Sequence, residues 1–213
     1  MDEKVISVAE MRAADRYTID ELGVPSIELM RRAAQGVFDA VEEERGWSGS
    51  NTVIFCGSGN NGGDGYALAE IMKDRGMDPL LVRVSEKFSD DGRYYFERCM
   101  EKDVRCVMFD SRGGLTDDAD IIVDCMLGTG FAGVPRGSVA DAIGVIGRAR
   151  EDGAYIVCVD INSGMTGDTG EAETAIKSDL TVSIGYLKTG FFTDAAKPWI
   201  GKLVNADIGI ELP

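Results

Sequence analysis

Hydrophobic positions along the chain first recur at helical spacing. Residues 6–23 carry that period, with Ser7 and Glu10 in the Ser-x-x-Glu arrangement of a capping box and Gly23 as a stop. Residues 25–46 repeat it from Pro25 toward Gly46. They predict a second amphipathic helix whose buried face holds Ile27, Leu29, Met30, Ala33, Ala34, Val37, Phe38 and Val41. Then the rhythm changes. Short, nearly continuous apolar runs predict strands at Thr52–Cys56, Leu80–Val84, Val104–Phe109, Ile121–Cys125, Tyr155–Val159, Leu180–Ile184 and Lys202–Ala206. Helical patterns stand between them at Asp64–Gly76, 89–101 and Ser138–Asp152. Strands separated by helical stretches of ~10–15 residues predict right-handed βαβ crossovers and a mostly parallel sheet. The unbroken apolar character of the strands requires helices on both faces. With no internal repeat, low-complexity tract or Pro/Gly/Ser linker, residues 1–213 are expected to form a single α/β domain.

Composition narrows the function. The 213 residues are 44% hydrophobic and 28% charged, as in globular domains, but 37 acids face 22 bases for a net charge of -15. That excess argues against a nucleic acid or an anionic membrane as partner, because both are bound through Lys and Arg. Histidine is absent, which removes Ser-His-Asp and Cys-His catalysis and every His-containing metal site. The five cysteines are odd in number and form no CxxC pair. Cys56, Cys125 and Cys158 sit inside apolar runs and read as small buried hydrophobes, which fits a reducing cytoplasm. The opening MDEKVISVAE has neither the basic nor the apolar region of a signal peptide, and no run reaches the ~18 apolar residues of a membrane helix. A soluble, cytoplasmic protein is expected.

Three strand ends carry the chemistry. After Thr52–Cys56 comes Gly57-Ser-Gly59-Asn60-Asn61-Gly62-Gly63-Asp64-Gly65, a glycine-rich turn into a helix, where backbone N–H groups attract phosphates. The same glycines also suit a plain tight turn. The next strand ends in Arg83, with Glu86 only later, so the ribose-binding acid of an ordinary dehydrogenase is lacking. The second strand end is Asp124, followed by Gly128-Thr129-Gly130-Phe131-Ala132-Gly133-Val134, a loop able to wrap a ligand. The third is Asp160-Ile-Asn162-Ser163-Gly164. Its downstream Asp168-Thr169-Gly170 mimics an aspartic-protease triplet but reads as a turn in this α/β pattern. Asn60, Asn61, Asp64, Asp124, Asp160 and Ser163 would thus meet at one sheet edge. Hard oxygen donors with few carboxylates suit a monovalent cation.

The segments GSGNNGGDGYALA, VDCMLGTGFAG and VDINSGMTGDTG, in this order and spacing, resemble the three signature segments of the NAD(P)H-hydrate epimerases, the YjeF N-terminal domain family. The leading AEMRAADRYTIDELGVPSIELMRRAA is similar as well, and the likeness runs from about residue 7 to about residue 209. The resemblance implies a Rossmann-like three-layer α/β/α sandwich with two leading helices, a homodimer, and interconversion of the R and S forms of hydrated NADH and NADPH. An S-specific dehydratase would then restore the cofactor. It further implies substrate contacts from Asn60, Asn61, Gly62, Gly63 and Asp64, from Gly128, Thr129, Gly130, Phe131, Ala132, Gly133 and Val134, and from Asp160, which is also the catalytic candidate. Potassium would be held by Asn61, Asp124 and Ser163.

Departures from the family pattern carry expectations of their own. Asn162 replaces the usual proline and is expected to relax the turn that aims Ser163. Arg31 and Arg32 replace an acid and an asparagine, which speaks against a role for that helix in the active site or dimer. Many bacterial members carry a fused kinase-like dehydratase domain, so the chain is expected either alone or as one half of a longer product. Lys188 either reaches phosphate or ring, or is a solvated surface lysine. Two rival functions stay open. A non-catalytic scaffold of the same fold has no need for the polar strand ends. Another nucleotide-dependent enzyme, such as a transferase holding phosphates on the Gly57 loop, is the second; no Gly-Lys-Ser/Thr follows that loop, which disfavours a P-loop nucleotidase.

Overall fold

The computed structural model describes residues 4–213. Its first helix, α1 (Val8–Asp20), starts where the capping box predicts. The Ser7 hydroxyl accepts from the Glu10 N–H, and the Glu10 carboxylate accepts from the Ser7 N–H at 2.8 Å. Helix α2 (Ser26–Glu44) buries the face that its periodicity marked, with Ile27 half-buried at the margin.

Seven strands form one all-parallel sheet: β2 (Thr52–Cys56), β3 (Leu80–Arg83), β4 (Arg105–Met108), β5 (Ile121–Cys125), β6 (Tyr155–Val159), β7 (Leu180–Ile184) and β9 (Lys202–Ala206). Their spatial order is β4-β3-β2-β5-β6-β7-β9. Alternate side chains feed two cores. Ile54, Cys56 and Val123 pack under α1, α2, α3 (Asn60–Asp74) and α4 (Asp90–Glu101), while Val53, Phe55 and Ile122 pack under α5 (Ser138–Glu151). The result is the expected α/β/α sandwich. Cys56, Cys125 and Cys158 are fully buried and unpaired within it.

Two features differ from the sequence reading. Helix α3 begins at Asn60, four residues before the expected Asp64, because Gly59 is extended and lets the chain turn at once into helix. The two-residue strands β1 (Val5–Ile6) and β8 (Leu187–Lys188) pair in parallel, apart from the main sheet. Strands that short have no periodicity to detect. The chain runs outward from β2 through β3 and β4, then returns to β5 on the other side. This reversal opens a crevice beyond the carboxyl ends of β2 and β5, where open α/β sheets bind ligands.

Candidate active site

A cleft of about 660 Å³ occupies that crevice. Its floor comes from the turns after β2 (Ser58, Gly59, Asn60, Asn61, Asp64), β5 (Met126 to Ala132) and β6 (Asp160). Its walls are α1, through Met11, Arg12, Asp15 and Ile19, and α2, through Ser26, Leu29, Met30 and Ala33. Arg12 also donates to the Thr129 carbonyl at 2.7 Å, tying α1 to the glycine loop. Helix α2 is therefore a wall of the site, contrary to the expectation from Arg31 and Arg32. Those two arginines point elsewhere and pair with Glu28.

Asp160 is the focus of the floor. Its φ is +66°, a left-handed conformation that few non-glycine residues adopt. Its contacts hold it there. Its N–H donates to Val182 O at 2.8 Å, Oδ1 is 2.6 Å from Lys188 Nζ, and Oδ2 accepts from the Thr129 N–H at 3.0 Å. Lys188 itself is wholly buried. It is neither a solvated surface lysine nor a group reaching phosphate or ring, because the turn after β7 folds it back beneath Asp160. Nothing in the local sequence GYLKTGF distinguishes these placements.

Below the floor lies a second polar centre. Asp124 is completely buried, and its carboxylate accepts from the Met126 N–H at 3.1 Å, the Ser163 hydroxyl at 2.7 Å and the Ser163 N–H at 2.9 Å. Burial pushes the Asp124 carboxyl upward, and the bonds from Ser163 and Met126 oppose that shift. Ser163 Oγ in turn accepts from the Leu127 N–H, and Asn61 donates to the Leu127 carbonyl at 2.8 Å. Asn61, Asp124 and Ser163 thus converge around Leu127. Among the described residues Asn61 Oδ1 is buried without a hydrogen-bond partner, an acceptor that needs a cation or donor.

Asn162 does not relax this turn. Its amide donates to Ile176 O, Ser178 Oγ and Trp199 O, and its oxygen accepts from Thr181 at 2.7 Å. With every polar atom satisfied and no exposure, it pins the backbone between Asp160 and Ser163. Asp168 accepts from the Val8 N–H at 2.7 Å and so anchors the start of α1, a structural task that fits its reading as a turn residue.

Carboxylates dominate the cleft. Burial raises Asp64 well above the ordinary range, and the charges of Asp160 and Asp15 push it further the same way. Asp15 is raised by burial and by Asp91, Asp160 and Asp20. Donors for an anion come from the first turn of α3, whose leading N–H groups have no intrahelical partner. Four expected contact residues lie outside the cleft lining. A Cβ on Gly62 would stand 2.2 Å from the Gly57 carbonyl oxygen and one on Gly63 2.4 Å from Met30 Cε, so both glycines serve close helix packing. Gly133 has φ +98° and turns the chain away, leaving Val134 exposed on the outside. Arg12, Asp15 and the α2 wall had no motif to mark them; only the apolar face of α2, read as core, hinted at what it covers.

The family described as YjeF-related protein N-terminus matches residues 26–190 of the chain. An NAD(P)H-hydrate epimerase of Limosilactobacillus fermentum is 36% identical over 210 residues, spanning 97% of this chain and 98% of that one. One from Oenococcus oeni is 32% identical over 98% of both. The bifunctional NAD(P)H-hydrate repair enzyme Nnr of Moorella thermoacetica is 32% identical across 97% of this chain, but only 40% of its own length. Among solved structures, yeast ynu0 (YNL200c) shares the fold with a TM-score of 0.78 at 22% identity, covering 88% of this chain and 82% of that one.

Proposed function

Because the chain belongs to the YjeF-related protein N-terminus family, we propose that its cleft epimerises hydrated NADH and NADPH at the hydroxyl-bearing ring carbon. The observation that carries this reading is Asp160, a carboxylate on left-handed backbone facing a cleft of about 660 Å³, with no histidine in the chain to share its task. The substrate is a carbinolamine, with hydroxyl and ring nitrogen on one carbon. The nitrogen lone pair forms a C=N bond as the C–O bond breaks, and the hydroxyl leaves as water after taking one proton. Water then adds to the opposite face and loses one proton. Asp64, which burial and neighbouring charge hold toward its protonated form, gives the first proton; Asp160, ion-paired with Lys188, takes the second. The reverse epimerisation exchanges these roles, and loss of one proton from Asp160 to solvent with uptake of one by Asp64 returns both carboxyls to their starting states.

The hard oxygens of Asn61, Asp124 and Ser163, one carboxylate with two neutral donors, fit a potassium ion, and the unpartnered Asn61 Oδ1 supports that assignment. Such an ion supplies positive charge beneath the floor. The nicotinamide end lies toward Asp160, with Thr129 to Ala132 alongside and the phosphates on the first turn of α3. We further propose a cytoplasmic homodimer that works with an S-specific dehydratase; a relative named as a bifunctional repair enzyme supports that coupling. Asp160→Asn tests the reading: it should leave the fold intact and slow epimerisation by about 10²–10⁴-fold. Near-wild-type turnover would remove Asp160 from the mechanism.

A further inference from the structure

Lysine is among the costliest residues to bury, and Lys188 has no exposed surface. Its ammonium has three hydrogens and three acceptors: Asp160 Oδ1 at 2.6 Å, Ile184 O at 2.7 Å and Ser183 Oγ at 3.1 Å. Nothing is left over to reach the cleft, whose lining does not include it. Stability alone explains such a residue poorly, because a buried ion pair seldom outperforms apolar side chains of similar size.

The surrounding structure is built to hold this ammonium still. Gly185, at φ +77°, turns the chain back after β7, and Ser183 Oγ donates to Tyr186 O across the turn while accepting from Lys188. Leu187 and Lys188 then pair with Val5 and Ile6, so the N-terminal strand clamps the lysine backbone. On the other side, Asp160 is fixed at both oxygens. Lys188 takes Oδ1, and the Thr129 N–H meets Oδ2, the oxygen beside the glycine loop. A carboxylate tethered at one oxygen can swing; tethered at both, it has one orientation.

Resting on the reading that Asp160 moves the proton, we infer that Lys188 is a positioning residue, which anchors the inner oxygen of Asp160 and thereby aims the outer one at the substrate. It touches neither substrate nor reacting atoms, so its positioning effect passes through Asp160, while its charge only tempers the upward push on Asp64. Two consequences separate this from a purely structural role. Removing Lys188 should lower kcat and leave substrate binding alone. Once Asp160 is disabled, Lys188 should have nothing further to contribute.

The experiment compares Lys188→Met, Asp160→Asn and the double variant for turnover, NADP⁺ affinity and melting temperature. Lys188→Met should lose about 10²-fold in kcat, the cost of a catalytic group displaced by about 1 Å, with KM and the NADP⁺ Kd within about twofold. The double variant should be no slower than Asp160→Asn and should melt above either single variant, which each strand one buried charge. If the stranded carboxylate unfolds Lys188→Met, Lys188→Gln keeps an N–H donor near Asp160 without the charge, and a loss in kcat alone is again expected. A folded Lys188 variant with wild-type kcat overturns the inference, as does a double variant slower than Asp160→Asn by the full Lys188→Met factor. A slow Asp160→Asn beside a fast Lys188→Met sinks only the role of Lys188. Wild-type turnover by Asp160→Asn sinks the reading of the cleft and this inference with it.

Discussion

A single methyl group at Gly128 should separate the chemistry of the cleft from its fold. A Cβ there would lie 2.7 Å from Asp160 Oδ2, and 3.3 Å and 3.5 Å from Asn61 Cβ and Cγ. Ordinary contact begins near 3.4 Å, so the carboxylate oxygen must retreat by roughly 0.7 Å. Retreat is resisted, because that carboxylate is held at 2.6 Å by Lys188 and at 3.0 Å by the Thr129 N–H. One of these contacts must stretch beyond good hydrogen-bond length. Displacement of a reacting group by about 1 Å costs about 10²-fold, so Gly128→Ala should lower kcat by about 10–10²-fold. Stability should fall by only about 1–2 kcal/mol, because the collision is with the end of a side chain and not with backbone. Gly147→Ala supplies the control, since nothing lies within 4 Å of a Cβ at that position, its φ is unexceptional and it stands in α5, outside the cleft lining. The assay follows loss of the R form of hydrated NADH in the presence of excess S-specific dehydratase, with thermal unfolding run in parallel. Equal turnover in the two variants, or a larger loss in Gly147→Ala, would refute the placement of Asp160 Oδ2 against this loop.

Other consequences can be measured separately. Because burial and the charges of Asp160 and Asp15 raise the Asp64 pKa, the folded protein holds a proton there at pH values where the unfolded chain has lost it. Stability from this group is present below the unfolded pKa and lost as pH rises through the folded one; Asp64→Asn should flatten that limb of a pH–stability profile and, because it removes the proton donor, lower kcat by about 10²–10⁴-fold. Asn162→Leu should destabilise by about 2 kcal/mol in denaturant melts, since it removes a bond from the buried Ile176 carbonyl and leaves the Trp199 carbonyl and the Thr181 hydroxyl with Ser178 alone. With a net charge of -15 and four carboxylates lining the cleft, raising salt at constant potassium should leave NADP⁺ affinity unchanged or modestly improved in a calorimetric titration. A steep fall would place the phosphates on Arg or Lys side chains instead of on α3.

Much of the architecture was legible because parallel strands buried on both faces must be continuous apolar runs, and acids that interrupt their ends are costly. Asp124 and Asp160 stood out for that reason, and the geometry brings Asn61 and Ser163 to Asp124 through Leu127. What escaped depends on contacts distant in sequence. Lys188 reads as an ordinary polar residue until the turn at Gly185 folds it beneath Asp160. Asn162 looks like a loosened turn until Ile176, Ser178, Thr181 and Trp199 surround it. Met11, Leu29, Met30 and Ala33 occupy the apolar stripe of their helices, and helical periodicity cannot tell a stripe that faces core from one that also walls a cleft. The early start of α3 turned on the extended Gly59, and Gly62 and Gly63 inside its first turns permit a close approach that composition alone reads as loop.

The central claim is that this cleft exchanges the two faces of a hydrated nicotinamide ring. Its most direct test is the rate at which purified R-form hydrated NADPH becomes S-form, resolved by chromatography with and without the protein. The account predicts that catalytic amounts of protein carry either pure form rapidly to the same R/S mixture, with Asp160→Asn slower by about 10²–10⁴-fold. Interconversion no faster than the spontaneous rate, from folded protein that still binds NADP⁺, would contradict it.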